Sequence, residues 1–452
     1  MTLLAGLSLG YFMVLLDLTI VSVALPSIAG SLHTGLSGLQ WVTNGYTVTF
    51  AALLLTAGWL ADRFGARRIF LYGLTAFGIL SGLCAVATGV EMLVGLRLAL
   101  GAAGAMLLPS SLAVITHVHR EPAARARAVG MWAAITGAAL AAGPVVGGAL
   151  TELAGWRAIF LVNVPLAVAG LVVTLRLAPE TARTRRGRPD LVGQVSAVVV
   201  VAAPVYALIE GPARGWTTSA VLGAALLTAV AAVVLVRAGR RAGAGAMLPP
   251  DLFRDRGVPA ALVAGLLANF ALSGLLFVLA LYFQDVRGYS PWTAGLAFLP
   301  LTVPTAVNPI VTGRWVARIG PRRPAMTGFV LMATGALVLT PLTAATTTAG
   351  LLVFGCGISL TLPALVAGVA GTVPPTLAGI GAGALNASRQ TGAALGVAIL
   401  GAVAGAGGAA GAPTAGTSGT RTALLLTATV LLAGAAVVAL GSRSRHPAVS
   451  TR

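Results

Sequence analysis

Asp17 is an acidic residue deep inside an apolar run, residues 3–27, and it is the only one of the 11 acidic residues placed that way. At the centre of a membrane helix an aspartate costs roughly 2.5–3.5 kcal/mol, and ionisable residues in such positions usually mark ion paths. A carboxyl group whose access to water alternates can bind and release a proton. We therefore predict a proton-coupling role for Asp17. The alternative is a structural tether to a neighbouring helix.

Two arginines also lie within apolar runs, and we group them with Asp17 as candidate proton-coupling residues. Arg97 lies about six residues from the nearer end of its run, or roughly 9 Å at 1.5 Å per residue. At that depth it either extends to the membrane interface or adjusts the proton affinity of Asp17. Arg389 lies about ten residues into its run, too deep to extend easily. We expect Arg389 to face an internal cavity or to pair with an acid, more than to be purely structural.

The composition identifies the surroundings of these charges. The 452 residues are 57% hydrophobic and 9% charged, with a mean hydropathy of +0.94. Soluble proteins carry about 25% charged residues, so the composition argues against a soluble multi-domain enzyme. A membrane span needs about 20 apolar residues, and the chain has many such runs. We predict an all-α polytopic membrane protein.

We predict fourteen membrane-spanning helices, separated by short polar or glycine- and proline-containing breaks. The first run has no basic segment before it and many runs after it, so we interpret it as a span and not as a cleaved signal. The fourteen runs are residues 3–27, 38–61, 69–89, 92–115, 128–150, 157–176, 191–209, 217–236, 258–283, 292–313, 324–342, 348–370, 379–405 and 421–441.

The basic residues indicate the orientation of these spans. All 29 are arginines, and the net charge is +18. If the termini and every even-to-odd connection are cytoplasmic, that side holds 23 arginines, whereas the other side holds four, Arg157, Arg214, Arg287 and Arg421. Cytoplasmic loops carry such an excess, so we predict cytoplasmic termini. The positive charge is then explained by topology, and nucleic-acid binding is not needed.

An internal repeat divides the chain. Residues 58–68 and 313–323 have glycine, arginine, glycine, arginine and arginine at positions that coincide after a shift of 255 residues. Both segments join the second and third spans of a six-span unit, which predicts two six-helix bundles with an inserted helix pair. We assign residues 1–180 to the first bundle, 181–250 to the inserted pair and its linkers, and 251–452 to the second bundle and a short tail.

Several motifs resemble those of the major facilitator superfamily. Residues 58–68 resemble its motif A, and we expect gating roles for Gly58, Asp62, Arg63, Gly65, Arg67 and Arg68. Residues 16–26 resemble the first-helix signature of the branch of drug:proton antiporters with fourteen spans. Residues 137–148 resemble antiporter motif C, and residues 283–284, 295–300 and 386–392 are also similar to that branch. The overall pattern resembles actinomycete antibiotic-resistance exporters of the methylenomycin type.

The resemblance implies proton-coupled efflux of lipophilic drugs or antibiotics across the cell membrane by alternating access, without a cofactor. In the family, the arginine of motif B is followed by Gln-Gly, whereas here Leu100 and Gly101 follow, so the glutamine is absent. Two alternatives stay open. One is proton-coupled uptake of a small metabolite, since architecture does not fix direction. The other, more remote, is a membrane enzyme or a structural protein. The sequence has no Ser/His/Asp set, metal cluster or phosphate-binding loop that would support an enzyme.

Two motifs are expected to control movement. Asp62 near the end of the second span needs a positive partner, because the helix dipole disfavours a negative charge there. Arg63, Arg67 or the start of the thirteenth span could supply it, the last acting as a latch between the halves. In the fifth span, small residues and a proline permit close packing and a hinge. The hinge residues are Gly137, Gly143, Pro144, Gly147 and Gly148.

Polar residues within the spans are candidates for a substrate cavity, although each could equally bond a neighbouring backbone. They are Asn44, Asn269, Asn308, Asn386 and Gln390. Aromatic walls are expected from Trp41, Tyr46, Phe270, Phe277, Tyr282 and Phe283. The embedded charges sum to +1, which favours neutral, zwitterionic or anionic lipophiles over dications. We expect no metal at His117 and His119, no disulfide, and a monomer in the lipid bilayer.

Overall fold

The computed structural model describes residues 1–181, 190–243, 246–374, 377–406 and 416–441, and every regular element in these ranges is helical. Arg183, Arg185, Arg186, Arg188, Arg443, Arg445 and Arg452 lie outside the described residues. The first nine helices are α1 (Thr2–Leu32), α2 (Leu36–Phe64), α3 (Ala66–Ala85), α4 (Val90–Val118), α5 (Pro122–Ala154), α6 (Ala158–Leu161), α7 (Asn163–Leu177), α8 (Leu191–Arg214) and α9 (Ser219–Ala242).

The second part of the chain begins with a short 3-10 helix, Pro250–Phe253, and α10 is continued by one π-helical turn, Tyr282–Val286. Its α-helices are α10 (Gly257–Leu281), α11 (Pro291–Ala297), α12 (Leu299–Val307), α13 (Pro309–Ile319), α14 (Arg322–Val338), α15 (Ala344–Thr372), α16 (Ala378–Ala406) and α17 (Thr417–Gly441).

Ten helical segments of the described residues are long and apolar enough to cross a membrane, when α6–α7 is taken as one segment and α10 includes its π-helical turn. Each of the fourteen apolar runs of the sequence falls on one helix or on consecutive helices. Helices that are apolar on all sides are typical of membrane spans or of the centre of a large protein. The number of spans, fourteen, stays a prediction.

Two of the apolar runs are broken helices. The run 157–176 divides into α6 and α7, and the run 292–313 divides into α11, α12 and α13. Proline lacks a backbone N–H and its ring clashes with the preceding turn, which breaks or kinks a helix. Pro300, Pro304 and Pro309 lie in or beside the breaks of the second run, and Pro165 lies beside the break of the first. Hydropathy alone does not reveal such breaks.

The two segments of the internal repeat form the same turn. Gly65 lies between α2 and α3 with φ +98°, and Gly320 lies between α13 and α14 with φ +76°. Each glycine N–H donates to the carbonyl four residues earlier, at Ala61 and Val316. A side chain is disfavoured at positive φ, which explains why glycine occupies both positions.

Most helices pack into two groups. One hydrophobic cluster is built mainly from α1 to α7, and a second mainly from α10 to α17. The helix ends with most arginines, at the α2–α3, α4–α5 and α13–α14 turns and the end of α9, lie on one side. We call this side the arginine-rich end and the other side the arginine-poor end.

The two groups meet along α2 and α16 near the arginine-poor end. Gln40 on α2 donates from Nε2 to the carbonyls of Val397 (3.0 Å) and Ala398 (2.9 Å) on α16. One turn further, Asn44 Nδ2 donates to the Ala394 carbonyl at 3.1 Å. Gln40 and Asn44 are both buried. These hydrogen bonds take the place of bonds to water, and they hold the two helices in register.

Further contacts between the groups lie at the same end. Gln284 Nε2 donates to the Val23 carbonyl of α1 at 2.9 Å, and Glu152 Oε2 accepts the Trp292 backbone N–H at 2.9 Å. By contrast, the arginine-rich half of α5 and most described side chains of α13 are exposed. The side-chain hydrogen bonds between the groups therefore lie at the arginine-poor end, whereas the α2–α16 packing continues into the other half, where a Cβ on Gly383 would lie 2.8 Å from Leu55 Cδ2.

The helix pair α8–α9 lies outside both groups and covers the junction of α2 and α16. Side chains of α8 share an apolar cluster with both of those helices. Glu210 on α8 accepts hydrogen bonds from Trp41 Nε1 (2.8 Å) and Ser37 Oγ (3.3 Å) of α2 and pairs with Arg214 Nε (2.5 Å). The hydropathy pattern predicts that this span ends at residue 209, whereas α8 continues to Arg214 and includes the buried Glu210.

Candidate functional site

Asp17 and Arg97 form a buried ion pair within the first group of helices. Asp17 lies near the middle of α1 and Arg97 on α4, and Nη1 of the arginine bonds Oδ2 of the carboxylate. The two side chains are 0% and 1% exposed. Arg97 therefore points inward to Asp17 in this structure, and it does not extend to the interface.

The surroundings of the ion pair fix Arg97 more firmly than Asp17. Arg97 Nε donates to the Val42 carbonyl at 2.9 Å, and its guanidinium carbon lies 4.7 Å from the centre of the Tyr46 ring. The Tyr46 hydroxyl donates to the Val14 carbonyl at 3.3 Å. Asp17 Oδ1, in contrast, has no hydrogen-bond partner among the described residues. A carboxylate oxygen with a free lone pair can accept a proton.

The pair is dry in this conformation. Asp17 contacts the interior of the first helix group and has no surface accessible to solvent. Burying an ion pair removes its hydration, which is unfavourable. The attraction between the two charges offsets this cost only when the geometry is good and further hydrogen bonds are made. Proton exchange at Asp17 consequently needs a second conformation in which water reaches the carboxylate.

Arg389 lies on α16 and bonds two asparagines. Its Nε donates to Asn269 Oδ1 of α10 at 3.3 Å, and its Nη1 donates to Asn386 Oδ1 one turn earlier at 3.2 Å. Asn386 is itself held by a 3.2 Å bond from Nδ2 to the Ala382 carbonyl. Of the two expectations for Arg389, pairing with an acid is not found among the described residues. Its side chain is only partly buried.

An aromatic stack lies at the same depth as Arg389. Tyr11 of α1 and Trp132 of α5 are parallel within 8°, with ring centres 5.1 Å apart. Tyr11, Trp132 and Arg389 lie 9, 10 and 11 residues from the arginine-rich ends of their helices, so they share one depth. Neither aromatic residue is among the candidates predicted from the sequence.

The other predicted cavity residues do not gather at one place. Asn44 joins α2 to α16, as described above, and Asn308 donates to Ser359 Oγ at 3.2 Å between α12 and α15. Gln390 is buried beside Arg389. Among the aromatic candidates, Tyr46 packs under Arg97, and Phe270, Phe277, Tyr282 and Phe283 are buried in helix packing.

Three of the predicted hinge glycines on α5 allow close approach of other helices. A Cβ atom on Gly143 would lie 1.9 Å from Thr19 Oγ1 of α1, and one on Gly147 would lie 2.6 Å from the Ile20 carbonyl oxygen. A Cβ on Gly148 would lie 2.4 Å from the Pro291 carbonyl oxygen of α11. Small residues at helix contacts permit such approach.

Pro144 and Gly137 differ from those three positions. The Pro144 carbonyl oxygen would lie 2.5 Å from a Cβ on Gly295 of α11, so this part of α5 meets the second helix group through backbone on both sides. A Cβ on Gly137 would meet no atom within 4 Å. The close contact is thus confined to the arginine-poor half of α5.

The arginines of the first repeat segment bind within their own helix group. Arg63 lies over the rings of Trp59 (5.4 Å) and Phe64 (5.8 Å). Arg67 Nη1 pairs with Glu180 Oε1 at 2.6 Å and Arg68 Nε lies 3.7 Å from Oε2 of the same residue. Asp62 lies in the last turn of α2 and is partly buried. The predicted latch to the start of α16 includes Pro375 and Thr376, which lie outside the described residues.

We expect Glu180→Gln to have a small effect. The ion pairs with Arg67 and Arg68 are partly exposed, and such pairs contribute about 0–1 kcal/mol. Arg67 also keeps its 3.0 Å bond to the Leu175 carbonyl when Glu180 is neutralised. Thermal unfolding of the purified protein should shift by a few degrees at most. A shift comparable to that of a core cavity variant would contradict this.

The chain matches one known protein family over most of its length. The family model described as Major Facilitator Superfamily matches residues 7–397. This range contains Asp17, Arg97 and Arg389, both repeat segments and the glycines of α5.

Proteins with named roles are similar over most of the chain. The methylenomycin A resistance protein of Streptomyces coelicolor is 38% identical over 405 residues, covering 88% of this chain and 85% of that protein. The multidrug resistance protein Stp of Mycobacterium tuberculosis is 36% identical, with 88% and 75% covered. The tetracenomycin C resistance and export protein of Streptomyces glaucescens is 34% identical, with 88% and 74% covered.

Solved structures share the fold. A bacterial homologue of the human lysosomal transporter Spinster superposes with a TM-score of 0.69 at 17% identity, covering 98% of this chain and 96% of that one. A second structure of such a homologue gives a TM-score of 0.70 at 18% identity, with 99% and 98% covered.

Proposed function

The chain belongs to the Major Facilitator Superfamily, and we propose that it exports lipophilic drugs or antibiotics across the cytoplasmic membrane in exchange for protons. It is a transporter and not an enzyme. Its relatives are named for resistance to methylenomycin A, for resistance to and export of tetracenomycin C, and for multidrug resistance. These names support an antibiotic or another drug as cargo.

The buried Asp17–Arg97 pair is the observation that carries the coupling proposal. When a proton reaches Asp17, the carboxyl group becomes neutral and Arg97 loses its partner. A buried charge without a partner is unfavourable, so protonation favours a conformation in which Arg97 is solvated. Release of the proton on the cytoplasmic side restores the pair. The pair thereby ties the protonation state of one residue to the arrangement of α1 and α4.

Rocking of the two helix groups would supply the alternating access. The contacts at α1–α10, α2–α16 and α5–α11 close the arginine-poor end. If the arginine-rich end is cytoplasmic, as the positive-inside rule indicates, the described conformation opens toward the cytoplasm. Cargo and protons then enter and leave from a site near mid-depth. The proposed latch at Asp62 would hold the cytoplasmic side shut in the opposite state.

For the topology, we propose fourteen spans with both termini cytoplasmic, as in the branch of drug:proton antiporters that the motifs resemble. The bundles are residues 1–180 and 251–452, and α8–α9 is the inserted pair within 181–250. Breaks within α6–α7 and α11–α13 account for spans that do not form one long helix. The working unit would be a monomer in the lipid bilayer.

A susceptibility panel in an efflux-deficient host tests the function. Expression should raise the inhibitory concentration of at least one lipophilic antibiotic, and a protonophore should remove the difference. The matched control is the same host expressing Asp17→Asn at equal membrane abundance. Energised accumulation of a compound on expression would instead indicate proton-coupled uptake, and an unaltered protective effect under the protonophore would contradict proton coupling.

A further inference from the structure

Arg389 differs from the other charges that the described helices bury. Asp17 is paired with Arg97, and Glu210 is paired with Arg214. Within the described part of the chain, no carboxylate lies in ion-pair distance of Arg389. An unpaired charge at mid-depth in a membrane protein is costly and usually functional. The net positive charge of the interior is therefore concentrated at one guanidinium group.

The protein holds this guanidinium in place with neutral acceptors. Asn269 and Asn386 each take one N–H, at Nε and Nη1. An arginine has five N–H donors, so the Nη2 group and one Nη1 hydrogen have no acceptor among the described residues. Gly265 makes room for the side chain, because a Cβ there would lie 3.1 Å from Arg389 Cγ. The arginine is positioned and its outer edge is left available.

Accessible side chains on α16 and α1 indicate a space between the two helix groups at the level of Arg389. On α16, Ala382, Asn386 and Arg389 form one accessible stripe at helical spacing, and on α1 a second stripe is partly accessible. The α1 stripe is Phe12, Leu15 and Leu18. Because α1 packs against α2, α4, α5, α7 and α10, its accessible stripe opens onto an internal space and not onto lipid. Tyr11 and Trp132 lie at the depth of Arg389 and are themselves buried, at 6% and 8% exposed.

Resting on the proposed export function, we propose that Arg389 binds a single acidic group of the cargo while the partly accessible side chains of Phe12, Leu15 and Leu18 on α1 contact its apolar or aromatic body. The preferred substrates are then lipophilic monoanions, such as carboxylic acids. Arginine binds carboxylates through two parallel N–H bonds, and such bonds are about twice as strong as neutral ones. The outer edge of Arg389 has the donors that this geometry needs.

The charge arrangement also excludes other cargo. Asp17 is neutralised by Arg97, so no free carboxylate near Arg389 is available to a cationic drug in this conformation. A second cation for a dianion is likewise missing from the described residues around Arg389. A structural role for Arg389 would predict equal binding of acids and their esters, whereas the proposed role predicts a preference for the acid.

Binding of matched pyrene probes to the purified full-length protein in nanodiscs tests the proposal. The probes are 1-pyrenebutyrate, its methyl ester and 1-pyrenemethylammonium, which share one aromatic body and carry charges of −1, 0 and +1. Energy transfer from tryptophan to pyrene reports binding. We expect the acid to bind at least about tenfold more tightly than the ester, as a charged hydrogen bond pair would give.

Variants separate charge recognition from folding. In Arg389→Gln the acid and the ester should bind within about twofold of one another, and Arg389→Lys should retain part of the preference. Arg421→Gln, which removes an exposed arginine of α17, should leave the preference unchanged. Equal binding of acid and ester by the native protein, absence of binding, or a preference that persists in Arg389→Gln would overturn the proposal. Because this assay measures binding alone, failure of export in vesicles would contradict the proposed function separately.

Discussion

Replacing Asp17 by asparagine should abolish proton-driven export while the protein still reaches the membrane. Asparagine keeps the shape of the side chain but cannot exchange a proton at neutral pH, so protonation no longer changes the partner of Arg97. Resistance in the host should fall to that of cells without the transporter. In proteoliposomes with an imposed pH gradient, a trapped pH indicator should show no substrate-dependent proton flux.

The same substitution leaves Arg97 buried without its carboxylate. Loss of one partner of a buried ion pair costs about 3–5 kcal/mol, so lower abundance must be separated from lost coupling. The double variant Asp17→Asn with Arg97→Gln removes both charges and should recover stability but not coupling. Glu91→Gln changes an exposed acid at the start of α4 and serves as the matched control. Undiminished proton-coupled export in Asp17→Asn would remove this residue from the mechanism.

Replacing Gly148 by leucine should prevent closure of the arginine-poor end. The nearest atoms to a Cβ at this position are the backbone oxygen of Pro291 at 2.4 Å, its carbonyl carbon at 3.1 Å and the Trp292 Cα at 3.2 Å. Backbone cannot move aside as a flexible side chain can. Overpacking of about 1–3 kcal/mol changes the ratio of two conformations about 5- to 150-fold. Export should be lost because one half of the cycle is disfavoured.

Spin labels across the α5–α11 contact measure this effect. The labels replace Leu153 and Trp292 in a background with Cys84→Ser and Cys356→Ser, and their separation should increase in Gly148→Leu. Gly137→Leu is the control on the same helix, since its Cβ meets no atom within 4 Å. An unchanged distance distribution in Gly148→Leu, with export intact, would show that this contact does not govern closure.

Features that depend on a short stretch of chain could be predicted from the sequence. The helical class follows from composition, and the family assignment is confirmed by the match over residues 7–397. The repeat predicted equivalent turns, and Gly65 and Gly320 have positive φ because both turns need a residue without a side chain. Depth in the apolar run singled out Asp17 as an embedded acid, and the structure buries it fully.

Features that depend on which helix face packs against which neighbour could not be predicted from the sequence. The depth of Arg97 permitted both extension to the interface and an inward contact, and only packing decides between them. Asn44 and Asn386 are both polar residues within apolar runs, and the sequence does not distinguish them. In the structure Asn44 bonds the α16 backbone, whereas Asn386 bonds Arg389. In helices that are apolar on all sides, periodicity does not mark a buried face. For the same reason Tyr11 and Trp132 gave no signal before their helices were placed.

The inserted pair α8–α9 makes the two flanks of the molecule unequal. It covers the α2–α16 junction and is fastened there through Glu210, whereas no described helix covers the α5–α11 junction in the same way. A compound dissolved in the hydrocarbon phase is thus blocked by α8–α9 on the α2–α16 side, whereas on the α5–α11 side it contacts the helices directly. Lateral entry from the membrane is expected to be one-sided, although the two bundles repeat one another.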